Sequence, residues 1–342
     1  MIDIMKMKKW LGFISIVTVI ALLFTSCRGQ ATSGDADQKL VPLRVGVDSG
    51  TFSTGYRVAD LKGFFKENGI DAQVTTFSFG GDTVNAILTG QVDVGVAFDF
   101  TLLARLNSKK VKILSRVQTC APDVNKIVAR DGITSPTQLS GKSFGVARGT
   151  IGEYATAMVI NHYQLKDVNQ VKLSSNADIV AALQRGDIKA SLFSGTALKQ
   201  ALAVKGARVI GTLKDIDAKS LTSRGFIVAS SDYAKKNPKA LAKLLKSVNK
   251  AIDWTNKDKN RAADLLSKSL TTPKDSTLTE LNGYTFTMGL STDDVQSLKS
   301  INDFAAQHGL YSTNFQLADM IDTEPLKLAY PNKLTYKESE LK

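Results

Sequence analysis

The residues best suited to bind a small molecule lie in two short loops rich in Gly, Ser and Thr. The first loop covers residues 49–55 and the second covers residues 148–152. Each follows a short apolar segment typical of a strand, and each precedes a helical pattern. Free backbone N–H groups and the positive end of a helix dipole suit such loops to an anion or a polar head group. The chemistry that they predict is non-covalent capture.

Arg148 is the strongest single candidate for charge recognition. A guanidinium in a Gly-rich loop at a helix start can bind a carboxylate, a sulfonate or a phosphate through two parallel hydrogen bonds. A surface ion pair is the alternative role for this residue. A pyrimidine or another aromatic solute stays open as the ligand, because four aromatic residues lie close to the predicted lining: Phe52, Tyr56, Phe98 and Phe100.

Further lining residues are expected where the corresponding strands end and the following helices begin. Gly80-Gly81 has a structural alternative as a tight turn before a helix capped by Asp82, and Phe98 and Tyr56 have one as packing residues. The full set of predicted ligand-binding residues is Thr51, Phe52, Ser53, Tyr56, Gly80, Gly81, Asp82, Phe98, Asp99, Arg148, Gly149, Thr150, Ser194 and Gly195.

An internal repeat determines how these loops are positioned. The segment RVGVDSGT (44–51) aligns with SFGVARGT (143–150), and strands and helices then follow in the same order in both copies. Two tandem β-α-β-α-β units predict an α/β fold with two parallel-sheet lobes. Because the loops after parallel strands line a crevice, the two lobes can face each other and close on a ligand.

The expected domain boundaries follow from the repeat and from the segments that flank it. A short strand at 226–229 is consistent with a return of the chain to the first lobe. We expect a signal peptide (1–27), a flexible tether (28–42), a discontinuous first lobe (43–130 plus 225–330), a second lobe (131–224) and a tail (331–342).

The N-terminal residues predict export. Three lysines precede an apolar run from Leu11 to Phe24, and small residues follow it, which is typical of a signal peptide. The run is too short to cross the roughly 30 Å hydrocarbon layer comfortably. Two small residues before Cys27 resemble the bacterial lipobox, in which the cysteine is acylated and becomes the mature N-terminus. Phe24 stands where that pattern prefers Leu.

Composition limits the partners of the chain. The 342 residues carry 44 Lys and Arg against 32 Asp and Glu, a net charge of +12. The basic residues are scattered along helical stretches without interleaved aromatics, so nucleic acid is not expected and a solvated, membrane-facing surface is favoured. If Cys27 is acylated, Cys120 has no partner for an intramolecular disulfide.

Four stretches resemble the substrate-binding proteins of the nitrate/sulfonate/taurine importer group, a branch of the ATP-binding-cassette (ABC) systems. They are ADLKGFFKENGI (59–70), NAILTGQVDVG (85–95), ITSPTQLSGK (133–142) and ALQRGD (182–187). The likeness covers nearly all of the chain after the predicted signal peptide. Residues 194–196 read Ser-Gly-Thr where many relatives carry an aromatic residue or proline, which leaves the ligand class open.

The resemblance implies a two-lobe periplasmic-binding-protein fold (type II) with parallel-rich sheets and hinges near 126–131 and 223–229. It implies an exported lipoprotein, monomeric and held at the membrane through Cys27, in the periplasm or at the outer face of the cytoplasmic membrane. Such a protein delivers a small, sulfonate- or nitrate-like solute to the permease and ATPase subunits of an ABC importer. A pyrimidine or thiamine-precursor solute, or a sensory role without transport, is the alternative.

An enzyme on the same fold is a further alternative that the sequence disfavours. Relatives that make a thiamine pyrimidine precursor carry a cysteine-rich iron-binding motif, and Cys27 and Cys120 are the only cysteines here. His162 and His308 do not form a ligand-spaced cluster, so no metal site, catalytic residue or cofactor is expected. No G-x-x-x-x-G-K-[ST] motif occurs, so the chain is not the ATPase of an importer.

Overall fold

The computed structural model describes residues 40–217 and 221–340. These residues belong to one compact unit that begins at Lys39. The predicted signal peptide, Cys27 and most of the predicted tether lie outside the described residues. Within the described residues, no helix has the length and apolar character needed to cross a membrane.

The described residues form twelve strands and fourteen α-helices. The strands are β1 (Val41–Asp48), β2 (Ile70–Phe77), β3 (Val94–Phe98), β4 (Val111–Cys120), β5 (Lys126–Ala129), β6 (Ser143–Ala147), β7 (Asn169–Leu173), β8 (Ala190–Phe193), β9 (Arg208–Thr212), β10 (Ser223–Ser230), β11 (Tyr284–Ser291) and β12 (Leu334–Thr335). The helices are α1 (Thr54–Leu61), α2 (Phe64–Glu67), α3 (Gly80–Leu88), α4 (Asp99–Leu103), α5 (Ile151–His162), α6 (Asn176–Arg185), α7 (Gly195–Leu202), α8 (Lys214–Asp217), α9 (Ser231–Lys236), α10 (Pro238–Lys257), α11 (Lys259–Leu270), α12 (Lys274–Asn282), α13 (Thr292–Gln307) and α14 (Glu324–Ala329).

The strands form two sheets, and each copy of the repeat builds half of one. The seven-stranded sheet has the order β12-β11-β4-β10-β3-β1-β2, and the five-stranded sheet has the order β7-β6-β8-β5-β9. β1 pairs in parallel with β2 and β3, and β6 pairs in parallel with β7 and β8. The predicted parallel arrangement of both repeat units is therefore confirmed.

The remaining pairs bring the chain from one sheet to the other and back. β10 lies antiparallel between β3 and β4, so the predicted return strand is present and is longer than expected. β5 pairs with β8 and β9 in the five-stranded sheet, so the first crossing occurs at residues 121–125, before the predicted boundary at 130. Each sheet is consequently mixed, because β4, β5, β9, β10 and β11 add antiparallel pairs to the parallel pairs of the repeat.

Both ends of the described chain carry more regular structure than their composition indicates. The predicted tether extended to residue 42, whereas β1 already begins at Val41. The predicted tail contains β12, which pairs in parallel with β11 through Leu334 and Thr335. A two-residue edge pairing is too short to leave a hydrophobic period in the sequence, which explains why it was missed.

The long helix α10 anchors the hydrophobic core beside the seven-stranded sheet. Pro238 occupies its first turn, where the missing N–H costs nothing. Its apolar residues Leu241, Leu244, Leu245 and Val248 share one face and are fully buried. This burial is the chief stabilising contribution of the helix, at about 25 cal/mol for each square ångström of apolar surface removed from water.

Replacing Leu244 with Ala tests this packing. Removal of the fully buried side chain leaves a cavity, so the free energy of unfolding is expected to fall by about 2–5 kcal/mol in denaturant titrations. Leu202→Ala is the matched control, because Leu202 is 43% exposed and should change stability by less than about 0.5 kcal/mol. Equal effects of the two substitutions would contradict the assigned core.

Candidate functional site

An inner cavity of about 210 Å³ lies between the two sheets. Most of the residues around it come from the carboxyl-terminal parts of strands and from the loops and helices that follow them. They are Asp48, Phe52, Phe79, Gly80, Gly81, Phe98, Thr101, Asn125, Gly145, Val146, Ala147, Thr150, Ile151, Gly152, Ala155, Thr156, Asn176, Ile179, Ser191, Leu192 and Ser194. Both sheets therefore contribute one wall each.

The inner cavity has an aromatic wall and little charge. The ring centroids of Phe52 and Phe98 are 4.1 Å apart, and Phe79 lies on the same rim. Asn125, Asn176 and several hydroxyl residues also line the cavity. Asp48 is the one ionisable residue among the lining residues. This arrangement fits the flat or apolar body of a solute better than it fits an isolated anion.

Carboxylates of the chain already occupy the backbone amides of the two repeated loops. In the first loop, the Asp48 side chain accepts hydrogen bonds from the N–H groups of Gly50 and Ser53, each at 2.8 Å. In the second loop, Glu153 accepts from the N–H of Gly149 at 2.6 Å. Gly50 and Gly149 are equivalent positions of the repeat. The predicted cradle of free amides for an anion is thus partly filled by the protein itself.

Two further helix starts at the cleft show the same feature. The N–H of Phe79 donates to the side chain of Asp82 at 3.1 Å. Phe79 is the N-cap of α3 and Asp82 is the third residue of the helix, so the prediction that Asp82 caps the helix is wrong. The N–H of Thr196, near the start of α7, donates to Glu280 at 3.2 Å. Glu280 also accepts the Thr51 hydroxyl at 2.6 Å, so one carboxylate joins elements of both sheets.

Positive charge gathers in an outer cavity that adjoins the inner one. Phe79, Gly81, Ala147 and Thr150 line both cavities. The residues of the outer cavity are Ser78, Phe79, Gly81, Asp82, Arg105, Ala147, Arg148, Thr150, Lys172, Leu173 and Ser174. Three of these are cationic and one is acidic. The candidate site consequently combines an aromatic interior with a basic mouth.

Arg105 is the most constrained of the cations. Its Nε donates to the Asn85 side chain at 3.0 Å, and its Nη1 donates to the backbone carbonyls of Thr101 at 2.8 Å and Gly149 at 3.0 Å. The last bond crosses the cleft between the two sheets. Partial burial lowers the pKa of the guanidinium, against the opposing effect of Asp82.

Two glycines make room for this guanidinium. A Cβ atom at Gly81 would lie 2.7 Å from Nη2 of Arg105, so any side chain there would displace the charge. Gly149 has a φ of 69°, in the left-handed region that favours glycine, and its carbonyl accepts the cross-cleft bond. Arg148, in contrast, is exposed and has no hydrogen bond or ion pair among the described residues.

The structure brings about half of the predicted ligand-binding residues to the two cavities. Phe52, Gly80, Gly81, Phe98, Thr150 and Ser194 line the inner cavity, and Gly81, Asp82, Arg148 and Thr150 line the outer one. Gly149 and Gly195 flank the cleft through their backbones, and neither is a lining residue. A Cβ atom at Gly195 would collide with Glu280, so this glycine makes room for the carboxylate.

Four of the predicted residues point away from the cavities. Thr51 is buried against Glu280, and the Ser53 hydroxyl accepts the N–H of Asp48. The hydroxyl of Tyr56 donates to the carbonyl of Gly95 at 3.2 Å, within the core, which is the packing role left open for it. Asp99 accepts the backbone N–H groups of Arg224 and Phe100 and is almost fully buried. Their hydrogen-bonding groups stabilise the scaffold instead of facing a ligand.

Sequence reasoning missed the residues that come from positions beyond the strand ends. Arg105 follows α4, seven residues after β3, and no motif marks it. Asn125 lies in the crossing between the sheets. Asp48 and Asn176 could have been found, because each lies directly at a predicted strand end or helix start.

A family model described as NMT1/THI5 like matches residues 51–262. The chain belongs to the NMT1/THI5-like family. The match includes the aromatic wall of the inner cavity, the first repeated loop from residue 51 onward, the whole second loop and the three cations of the outer cavity.

Curated relatives of this NMT1/THI5-like chain carry two kinds of name. A protein of Brucella abortus (strain 2308), whose name describes it as a binding protein, is 26% identical over 255 residues, covering 72% of this chain and 77% of that protein. The 4-amino-5-hydroxymethyl-2-methylpyrimidine phosphate synthase THI5 of Saccharomyces cerevisiae is 26% identical over 219 residues, covering 60% of this chain and 64% of the synthase.

Solved structures show the periplasmic binding protein fold. The aliphatic sulphonate binding protein SsuA of Escherichia coli matches with a TM-score of 0.71 at 20% identity, over 82% of this chain and 92% of SsuA. SsuA of Xanthomonas axonopodis pv. citri, bound to MOPS, matches with a TM-score of 0.71 at 17% identity, over 83% of this chain and 99% of that SsuA. The nitrate-binding protein NrtA of Synechocystis PCC 6803 matches with a TM-score of 0.67 at 14% identity, over 86% of this chain and 89% of NrtA.

The buried Asp99 predicts a specific pH dependence of stability. Burial raises its pKa to about 6, against the lowering effect of the Arg224 and Phe100 N–H donors. The unfolded carboxyl titrates near 4, so between these values the folded state binds more protons than the unfolded state. The contribution of Asp99 to the free energy of unfolding therefore increases as the pH falls from 7 to 5.

The comparison of the parent protein with Asp99→Asn isolates this effect. The free energies of unfolding of both proteins are measured in urea at pH 7 and at pH 5. Relative to the variant, the parent is expected to gain about 1 kcal/mol of stability at the lower pH, because only the parent takes up a proton at residue 99. A difference that stays constant over this interval would contradict the raised pKa.

Proposed function

We propose that the chain is the extracytoplasmic solute-binding component of an ABC importer and that its solute is an organic anion with a ring-sized body. The body would occupy the inner cavity and the anionic group would lie in the outer cavity. The observation that carries this proposal is the adjacency of the two cavities, one aromatic and one basic, along a shared rim.

The inner cavity supports the organic body. Its volume of about 210 Å³ exceeds what a three-oxygen inorganic anion fills, so nitrate alone would leave most of the aromatic wall without contacts. A ring placed against Phe52 and Phe98 would bury apolar surface and gain offset stacking. The side-chain amides of Asn125 and Asn176 provide donors and acceptors for ring substituents.

The outer cavity supports the anionic group. Several loop amides that could bind an anion donate instead to Asp48, Glu153 and Glu280. Recognition of charge is therefore assigned to side chains, with Arg105 as the chief partner because its hydrogen bonds to Asn85 and Thr101, on its own side of the cleft, set its position. A guanidinium held in this way loses little side-chain entropy on binding. Arg148 is proposed as a second, more exposed partner.

The names of the similar proteins are compatible with such a solute. An organosulfonate such as MOPS and a pyrimidine phosphate each combine an organic body with an anionic group. The two sheets are proposed as the cores of two lobes that close on the solute, with Arg105–Gly149 and the Glu280 contacts forming in the closed form.

Ligand screening by thermal shift and calorimetry tests the proposal. MOPS, benzenesulfonate, 4-amino-5-hydroxymethyl-2-methylpyrimidine phosphate and nitrate form the probe set, with neutral benzenesulfonamide as the uncharged counterpart of benzenesulfonate. At least one ring-containing anion is expected to raise the melting temperature. For that probe, Arg105→Gln should weaken binding about 10- to 100-fold and Phe98→Ala at least about tenfold.

The controls separate the two parts of the site. Arg208→Gln removes an exposed arginine of β9 outside both cavities and should leave the affinity unchanged. The affinity for neutral benzenesulfonamide should be unchanged by Arg105→Gln, because the probe carries no charge. It should still be weakened by Phe98→Ala, because the probe keeps the ring. Nitrate binding as tightly as the best organic anion, or stabilisation by cationic solutes alone, would contradict the proposal.

The lipid anchor is proposed as the membrane attachment of the protein. Cys27→Ser is expected to abolish incorporation of a labelled fatty acid into the chain expressed in a bacterial host, because no other thiol follows the apolar run closely. Unchanged labelling of this variant would refute anchoring at Cys27. Solute binding by the purified protein is expected to be unaffected, so this result is independent of the ligand screen.

A further inference from the structure

The outer surface of α10 carries a stripe of lysines that the solute site does not use. Lys239, Lys243, Lys246 and Lys250 follow one another at intervals of four, three and four residues. At 3.6 residues per turn they fall within an arc of about 60° on the side of α10 opposite its buried leucines. Lys239, Lys246 and Lys250 are exposed, and Lys243 is half-buried.

Neighbouring elements extend this surface. α2 packs against α10, where the ammonium of Lys250 lies 4.6 Å from the centroid of the Phe64 ring. The ammonium of Lys62, at the end of α1, lies 5.6 Å from the centroid of the Trp254 ring of α10. We define the lysine face by its exposed and half-buried lysines, which are Lys62, Lys66, Lys239, Lys243, Lys246 and Lys250.

Acidic residues offset only part of this charge. Glu67 forms an ion pair with Lys250, and Asp253 accepts a hydrogen bond from the Asn249 side chain at 3.0 Å. Lys62, Lys66, Lys239, Lys243 and Lys246 form no ion pair among the described residues. Exposed ammonium groups in this arrangement attract a surface of phosphate groups from within a Debye length of about 8–10 Å.

The N-terminal end of the described chain lies beside the lysine face. The N–H of Val41 donates to the carbonyl of Gly69 at 3.0 Å, and a Cβ atom at Gly69 would lie 3.0 Å from Nζ of Lys243. The carbonyl of Pro42 accepts the hydroxyl of Tyr233, which belongs to α9, directly before α10. The chain therefore leaves the compact unit next to these lysines.

Chain length limits how far this point can be from an anchor. Twelve residues separate Cys27 from Leu40, and at about 3.3–3.6 Å per residue they reach at most about 45 Å. A unit of about 300 residues has a radius of gyration near 19 Å and a diameter of about 50 Å. An anchor at Cys27 would consequently hold Val41, and the lysine face beside it, within about 45 Å of the lipid.

We propose that the lysine face binds the anionic head groups of the membrane to which the protein is anchored. The proposal rests on the anchor at Cys27 for its biological setting and is independent of the solute. Contact of the lysine face with lipid would fix the orientation of the unit on the membrane surface.

Vesicle flotation tests the lysine face without the anchor. The chain from Arg28 onward keeps the whole compact unit described above and lacks Cys27. At about 50 mM salt it is expected to float with vesicles of about 30% phosphatidylglycerol in phosphatidylcholine and not with pure phosphatidylcholine. The binding should disappear at about 500 mM salt, because screening removes the attraction.

A charge-matched pair of variants locates the binding surface. Lys239→Gln, Lys243→Gln and Lys246→Gln together should weaken vesicle binding at least about tenfold, since each lysine near an anionic surface contributes up to about a fivefold factor. The control variant carries Lys142→Gln, Lys166→Gln and Lys205→Gln, at exposed lysines on the side of the five-stranded sheet. Its vesicle binding should weaken by less than about twofold.

Two outcomes would overturn the proposal. One is an equal loss of vesicle binding in both triple variants, which would mean that net charge alone drives binding. The other is no binding of the parent chain to anionic vesicles at low salt. Unchanged melting temperatures would confirm that each triple variant is folded. Loss of the lipid label in Cys27→Ser bears only on the anchor, so failure of the anchor and failure of the lysine face are distinguishable.

Discussion

The cleft depends on one arrangement that occurs twice, a strand that pairs in parallel with two neighbours. β1 does so with β2 and β3, and β6 does so with β7 and β8. Parallel strands end at the same edge of a sheet, so their following loops and helix starts come together. Apart from Asn125, every residue around the inner cavity comes from one of these six parallel strands or from the loop or helix that follows it.

This arrangement also explains why the carboxylates at the cleft matter. Several helix starts converging on one cavity would place unpaired N–H donors and positive dipole ends side by side. Asp48, Glu153 and Glu280 each accept one or more of these donors. These carboxylates offset the partial positive charge of the helix starts. The sign of the charge at the cleft is then decided by other side chains, such as Arg105. Specificity for charge can then change with a few residues, without any change of the sheets.

The fold was more predictable than the site, for a physical reason. Repetition, strand length and the glycines that end the helices are properties of the chain read locally, and they predicted both parallel halves. The position of a side chain relative to a cavity depends on local geometry that spacing does not determine. Thr51 lies in a 3-10 turn and faces Glu280, 229 residues away, whereas Phe52 beside it faces the cavity. Arg105 reaches the site from beyond a five-residue helix, and the sequence carries no signal for that.

The distribution of strands between the sheets has a consequence for the order of folding. The five-stranded sheet draws all its strands from residues 126–212, so it can assemble as soon as that stretch has been synthesised. β4 bonds to β10 and β11, which lie more than 100 residues further along the chain. β1, β2 and β3 can pair with one another early, but β4 has no strand partner until β10 and β11 are available. Until residue 291 is available, β4 is an open edge that needs protection from pairing with other chains.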